Sequence, residues 1–104
     1  MNKLEQLTEE IKLATDYQIN KRILREKIQT DLHLPYRGGL FKITPELLAF
    51  MQGWPIDDMY LEDVYGNPIE VDRHVFLVQA QQHYQIVMNR LHQQHGELKK
   101  IRKV

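Results

Sequence analysis

The sequence contains no cysteine and no serine. The first absence excludes disulfides, thiolate metal sites and cysteine nucleophiles. The second leaves Thr8, Thr15, Thr30 and Thr44 as the aliphatic hydroxyls, and all fall on expected helices or helix caps. Nucleophilic catalysis by a hydroxyl is therefore not expected. Residues 2 to 34 contain no glycine and no proline, so nothing breaks a helix there. No window approaches the ~18 uninterrupted apolar residues of a membrane span. The N-terminal run MNKLEQLTEEIKLATDYQ has no apolar core of signal-peptide length. A soluble protein made in the cytosol of its producer is the expectation.

Lysine and arginine are also missing from one continuous segment. Residues 44–72 hold Glu46, Asp57, Asp58, Glu62, Asp63, Glu70 and Asp72 but no basic residue. All 14 Lys and Arg lie outside it, together with the other half of the 14 acids. The net charge of zero argues against general affinity for nucleic acid, which rests on many cationic contacts to phosphate. The charge is neutral in sum and polarised along the chain.

Two long helices frame that acidic segment. Leu4, Leu7, Ile11 and Ala14 follow the three-four spacing of a helix seam. Gln18, Lys21 and Arg25 interrupt it before Ile28 and Leu32 restore it, while Ile19 and Ile23 project from another side. This predicts one helix over residues 3–32, ended by Pro35 and the Gly38-Gly39 pair, with YRGGLFK read as a tight turn leaving it. The last third is more regular. Leu77, Ala80, Tyr84, Val87, Leu91, Gln94, Leu98 and Ile101 alternate spacings of three and four without a slip. Asp72 sits where an N-cap should be. Lys99, Lys100, Arg102 and Lys103 fall at the carbonyl end, where the helix dipole favours cations. Gly96 is the one weak position in a helix predicted over 73–101.

Between the helices, Thr44-Pro45-Glu46 has the form of a helix start, and the short helix stops at Gly53. MYLEDV and IEVD flank YGNP and predict a β-hairpin. Met59 and Leu61 share one face with Ile69 and Val71; Tyr60, Glu62 and Glu70 point away. LFKI, residues 40–43, is apolar enough for a third strand. Trp54 and Tyr60, beside Phe50, are the expected core of this region.

The fold expected is mainly α: one domain, residues 1–104, built as a long antiparallel helical hairpin. A small acidic α/β insertion, residues 40–72, lies between the helices. Two helices give a thin core, and Ile19, Ile23, Phe76, Ile86 and Met88 lie off the seams, partly wet. Large apolar residues left exposed in a line mark a contact with another chain. Self-association is expected through Leu77, Ala80, Tyr84, Val87, Leu91 and Leu98 of one helix and Leu4, Leu7 and Ile11 of the other. The acids Asp57, Asp58, Glu62, Asp63 and Glu70 would form a head that docks on a cationic protein surface, charge serving encounter and partner choice. The plain reading of the same acids is a solvated loop that guards a hairpin edge.

Other motifs carry less. His92 and His95, three apart, could contribute to a metal site, but no third ligand stands at a matching offset. Asp57-Asp58 and Glu62-Asp63 lack the unequal surroundings that split carboxylate pKa values, and no calcium loop is present. No catalytic, cofactor or metal set emerges, so an enzyme is not expected. A nucleic-acid-associated or host-transcription regulator using Arg22, Arg25, Lys99, Lys100, Arg102 and Lys103 is the alternative function.

At GGLFKITPELLAFMQGW and MYLEDVYGNPIEVDR the chain resembles small uncharacterised proteins of T-even-like cyanophages, the tailed phages of marine cyanobacteria. The resemblance implies the cytoplasm of an infected bacterial host, or a virion, as the setting. It implies no activity and no site residues. The order of long helix, β-hairpin and long helix also looks like a prefoldin-type chaperone subunit, whose sequence pattern is not visible here.

Overall fold

The computed structural model describes residues 2–102. Two long helices, α1 (Lys3–Asp31) and α3 (Arg73–Arg102), flank a head in which strands and a short helix follow in order. These are β1 (His33–Tyr36), β2 (Gly39–Lys42), α2 (Pro45–Gly53), β3 (Asp58–Glu62) and β4 (Pro68–Asp72). The molecule measures 68 × 23 × 19 Å, with a radius of gyration of 19.8 Å. A compact chain of this length would have about 13 Å. It is a rod with a head.

Each helix starts where a side chain can satisfy its free amides. Asn2 accepts from the Glu5 amide at 2.8 Å, Thr44 from the Leu47 amide at 3.1 Å, and Asp72 from the His74 and Val75 amides at 3.1 and 3.2 Å. The two hairpins are antiparallel, β1 with β2 and β3 with β4. The first turns through Arg37 and Gly38, both with positive φ (46° and 80°), the backbone that a two-residue type I′ hairpin loop requires. Gly39 then lies so close to Ile69 that a Cβ would sit 2.7 Å from Cγ1 of that side chain, so the hairpins pack together only with glycine there.

The core closes inside the head. Phe76 is fully buried and meets Tyr36 and Phe41 edge-on, with ring centres 5.2 and 5.1 Å apart. Ile43, Met51, Val71 and Ala80 complete the cluster. A second, smaller cluster of Ile28, Leu32 and Val87 joins α1 to α3, with Leu24, Met88 and Leu91 packed beside it. Tyr84 touches both clusters. The His83 ring donates from Nε2 to the Asp31 carbonyl at 2.6 Å, and Arg90 reaches the Asp31 carboxylate at 3.4 Å, which fixes the junction of shaft and head.

Several expectations are corrected. LFKI lies mostly in a strand, Gly39–Lys42, but that strand pairs with His33–Tyr36, where only a helix stop at Pro35 and the start of a turn were expected, so the head begins at residue 33. Phe76, expected to stay partly wet, is the centre of the core, because the head covers α3 on a second side. Trp54 and Tyr60 are not the core: they are 36% and 71% exposed, and Trp54 leans on Phe50 at the surface with ring centres 5.1 Å apart. Ile19, Ile23 and Ile86 are exposed as expected.

Phe76→Ala should lower stability by about 3–5 kcal/mol, whereas Trp54→Ala should cost less than about 1 kcal/mol. Thermal melts of the two variants check this; comparable losses would mean that the core is wrongly placed.

Candidate functional site

The outer face of the β3–β4 hairpin is built by strand alternation. Met59 and Val71 oppose each other and are buried; Tyr60 opposes Glu70 on the other face, with Glu62 one step along. Asp58 stands directly across from Asp72, a like-charge pairing that costs sheet stability. Asp58, Glu62 and Glu70 are exposed, and among the described residues none makes an ion pair. Tyr60 stands among them with 71% of its surface open. Arg37 borders this face: its guanidinium donates to the Glu70 carbonyl at 3.3 Å and lies over the Tyr36 ring.

Asp57 differs from these acids. Its carboxylate accepts from the Arg73 guanidinium at 3.2 Å and lies 2.9 Å from the His74 ring. Arg73, then His74, hold its pKa below the usual carboxylate value. Arg73 also caps the end of α2 by donating to the Met51 carbonyl at 3.1 Å. Asp57 therefore belongs to the hinge between head and α3 as much as to a docking face.

Asp63 is removed from the docking set. It is 7% exposed, and its carboxylate is consumed by backbone amides: Asn67 at 2.9 Å and Tyr65 at 3.0 Å on Oδ1, Leu40 at 3.1 Å on Oδ2. Its own amide donates to the Asn67 carbonyl, and the Val64 amide donates to Leu40. One carboxylate thus shapes the β3–β4 turn and ties it to β2. The amide of Asn67, with those of Leu40 and Tyr65, favours the ionised form and lowers its pKa.

The seam residues divide into three groups. Leu77, Ala80 and Tyr84 serve the head core. Val87 and Leu91 face α1, and Leu98 lines a groove with Asn20, Ile23 and Leu24. Leu4, Leu7 and Ile11 are 71%, 53% and 58% exposed. The seam residue Ile101 lies in α3, but its side chain, like that of Arg102, is outside the described set, as is Lys103 entirely. No group of three or more His, Asp or Glu among the described residues is placed to hold a metal ion. No described helix is long and apolar enough to cross a membrane.

Sequence reasoning placed Tyr60 wrongly, although strand alternation had already pointed it outward beside Glu62. It also read Lys21 and Arg25 as gaps in a seam, and set His92 and His95 aside as solvated or interface histidines. The structure puts all four on the rim of one groove. Compared with protein-family models, curated proteins and solved structures, the chain has no match.

The Asp63 carboxylate gives a pH prediction. Its folded pKa is depressed, so its stabilisation is complete above the unfolded value of about 3.9 and is lost as pH falls through the folded one. Asp63→Asn keeps an acceptor for Tyr65 and Asn67 but turns a donor on the Leu40 amide. The variant should melt lower than the parent near pH 7, and the gap should narrow towards pH 2. A gap that stays constant with pH would show that the charge plays no part.

Proposed function

We propose that the protein is a non-catalytic interaction protein, which associates with itself along its helical shaft and docks on a cationic partner through the acidic head. The observation that carries the docking half is the outer face of the β3–β4 hairpin, where Asp58, Glu62 and Glu70 surround the exposed Tyr60 and none of the three carboxylates is ion-paired among the described residues. A guarded sheet edge needs charge alone. An exposed tyrosine among the charges adds a large, rigid contact of the kind that anchors protein interfaces. The self-association half is supported by the apolar residues of α1 that the chain does not cover.

The resemblance to cyanophage proteins supports a more specific setting. A small rod with one charged tip suits an assembly factor or minor virion component acting in an infected bacterial cytoplasm. The regulator that contacts nucleic acid has less support. Its cations, Arg22, Arg25, Lys99, Lys100, Arg102 and Lys103, belong to a chain of zero net charge, whereas affinity for phosphate rests on a cationic excess.

Glu62→Lys combined with Glu70→Lys reverses the face without touching Asp63. The melting temperature should stay within about 2–4 °C of the parent, since surface changes cost about 0.5 kcal/mol or less. Recovery of partners from host extract on the immobilised variant should fall at least tenfold. Equal recovery by the two proteins would eliminate this face as the docking surface.

A further inference from the structure

The stripe on α1 is continuous although its chemistry changes. Leu7, Ile11, Ala14, Gln18, Lys21 and Arg25 succeed one another at spacings of four and three, so they lie along one side of the helix. The first three are apolar and the last two cationic. At the apolar end Leu7 and Ile11 are exposed, 53% and 58% open. The helices run antiparallel, with Asp31 beside His83, Ile28 and Val87 in one cluster, and Leu24 and Leu91 packed against it, so four residues back along α1 is about four forward along α3. Continued at this register, the last described residue of α3, Arg102, falls opposite about Leu13. Residues 3 to 12 of α1 project beyond it.

The cationic end borders a groove of about 540 Å³ between α1 and α3. Its floor is apolar, made by Leu24, Ile28, Met88 and Leu91. Its rim carries Lys21 and Arg25 from α1 and His92 and His95 from α3. An occupant that fits is a helix with an apolar stripe and acidic flanks.

The N-terminal half of α1, which includes the projecting residues, is such a helix. Residues 3–16 carry Glu5, Glu9, Glu10 and Asp16 against Lys3 and Lys12; residues 17–31 carry Lys21, Arg22, Arg25 and Lys27 against Glu26 and Asp31. The first half is net negative by two and the second net positive by two. Two copies of α1 side by side in parallel would set like charge on like charge. Antiparallel, each acidic half meets a basic one.

We infer that the projecting N-terminal half of α1 from a second copy occupies the groove, the two chains pairing antiparallel about a two-fold axis near Gln18. This deepens the reading of the shaft as a self-association surface and rests on it. With the axis at Gln18, Leu7 lies over Ile28 of the other copy, Ile11 beside Arg25 and Ala14 beside Lys21. Each chain both gives a helix and receives one, the self-complementary contact of a closed dimer. The two hairpins become four helices around a shared core. Apolar burial supplies the affinity, and the charges set the direction.

The absence of cysteine makes the test clean. Gln18 and Leu7 are exposed in the single chain, so a cysteine at either leaves the hairpin intact, which a melting curve verifies. Under mild oxidation Gln18→Cys should link to its own copy in the partner. Leu7→Cys should not, because two such residues would be about 33 Å apart along antiparallel helices. Leu7→Cys with Gln29→Cys in one chain should link across. Arg25→Glu should weaken the dimer about tenfold, and Glu10→Lys added to it should restore affinity. Unmodified protein that sediments as a monomer at ~100 µM would overturn self-association and this pairing together. A dimer in which Leu7→Cys links to itself, Gln18→Cys does not, or the second charge reversal fails to restore affinity would overturn the pairing alone.

Discussion

Two helices lying side by side can bury only a strip of each other, and every feature of this chain follows from where a third layer covers that strip. Over the first turns of α3 the head supplies the layer. Phe76, Val71, Met51 and Ile43 are then enclosed from all sides. Along the shaft no described residue supplies a third layer. Ile28 and Val87 are buried between the helices, yet Leu24, Met88 and Leu91 remain half-open. Towards the start of α1, Leu4, Leu7 and Leu13 are exposed. Enclosure therefore falls off from the head towards the free end.

The head is rigid because a few polar atoms do several jobs each. Asp63 closes the β3–β4 turn and holds β2 to it; Arg73 joins the end of α2, Asp57 and the start of α3. Asp63 is used in the β3–β4 turn and Asp57 at the start of α3, which leaves Asp58, Glu62 and Glu70 exposed. Segregating the acids at one end makes that face predominantly negative, which suits recognition by complementary charge. The same segregation recurs within α1, whose first half is net acidic and second half net basic.

Much of this architecture was legible in the sequence, and the failures have definite causes. The three-four rhythm of α3 and the capping residues Thr44 and Asp72 located their helices to within a residue or two, because those signals are local. The inward and outward faces of β3 and β4 followed from alternation alone. The strand at His33–Tyr36 was hidden by its shortness and by Pro35, and the turn that pairs it requires a left-handed arginine at Arg37, for which no sequence signal stands out. Asp63 could not be distinguished from Glu62 because one of its partners is a backbone amide 23 residues away. Phe76 was misplaced because a single seam was assumed for α3, whereas its first turns are covered on two sides. The groove was in view only as an interruption: Lys21 and Arg25 looked like a flaw in a stripe until α3 brought His92 and His95 alongside.

An unfinished shaft that a second copy completes is the claim on which the rest stands. Multi-angle light scattering of the unmodified protein measures it without a label or a mutation. The account predicts a mass near twice 12.5 kDa at micromolar concentration, falling towards one chain on dilution. A mass of one chain that persists at high concentration would contradict it.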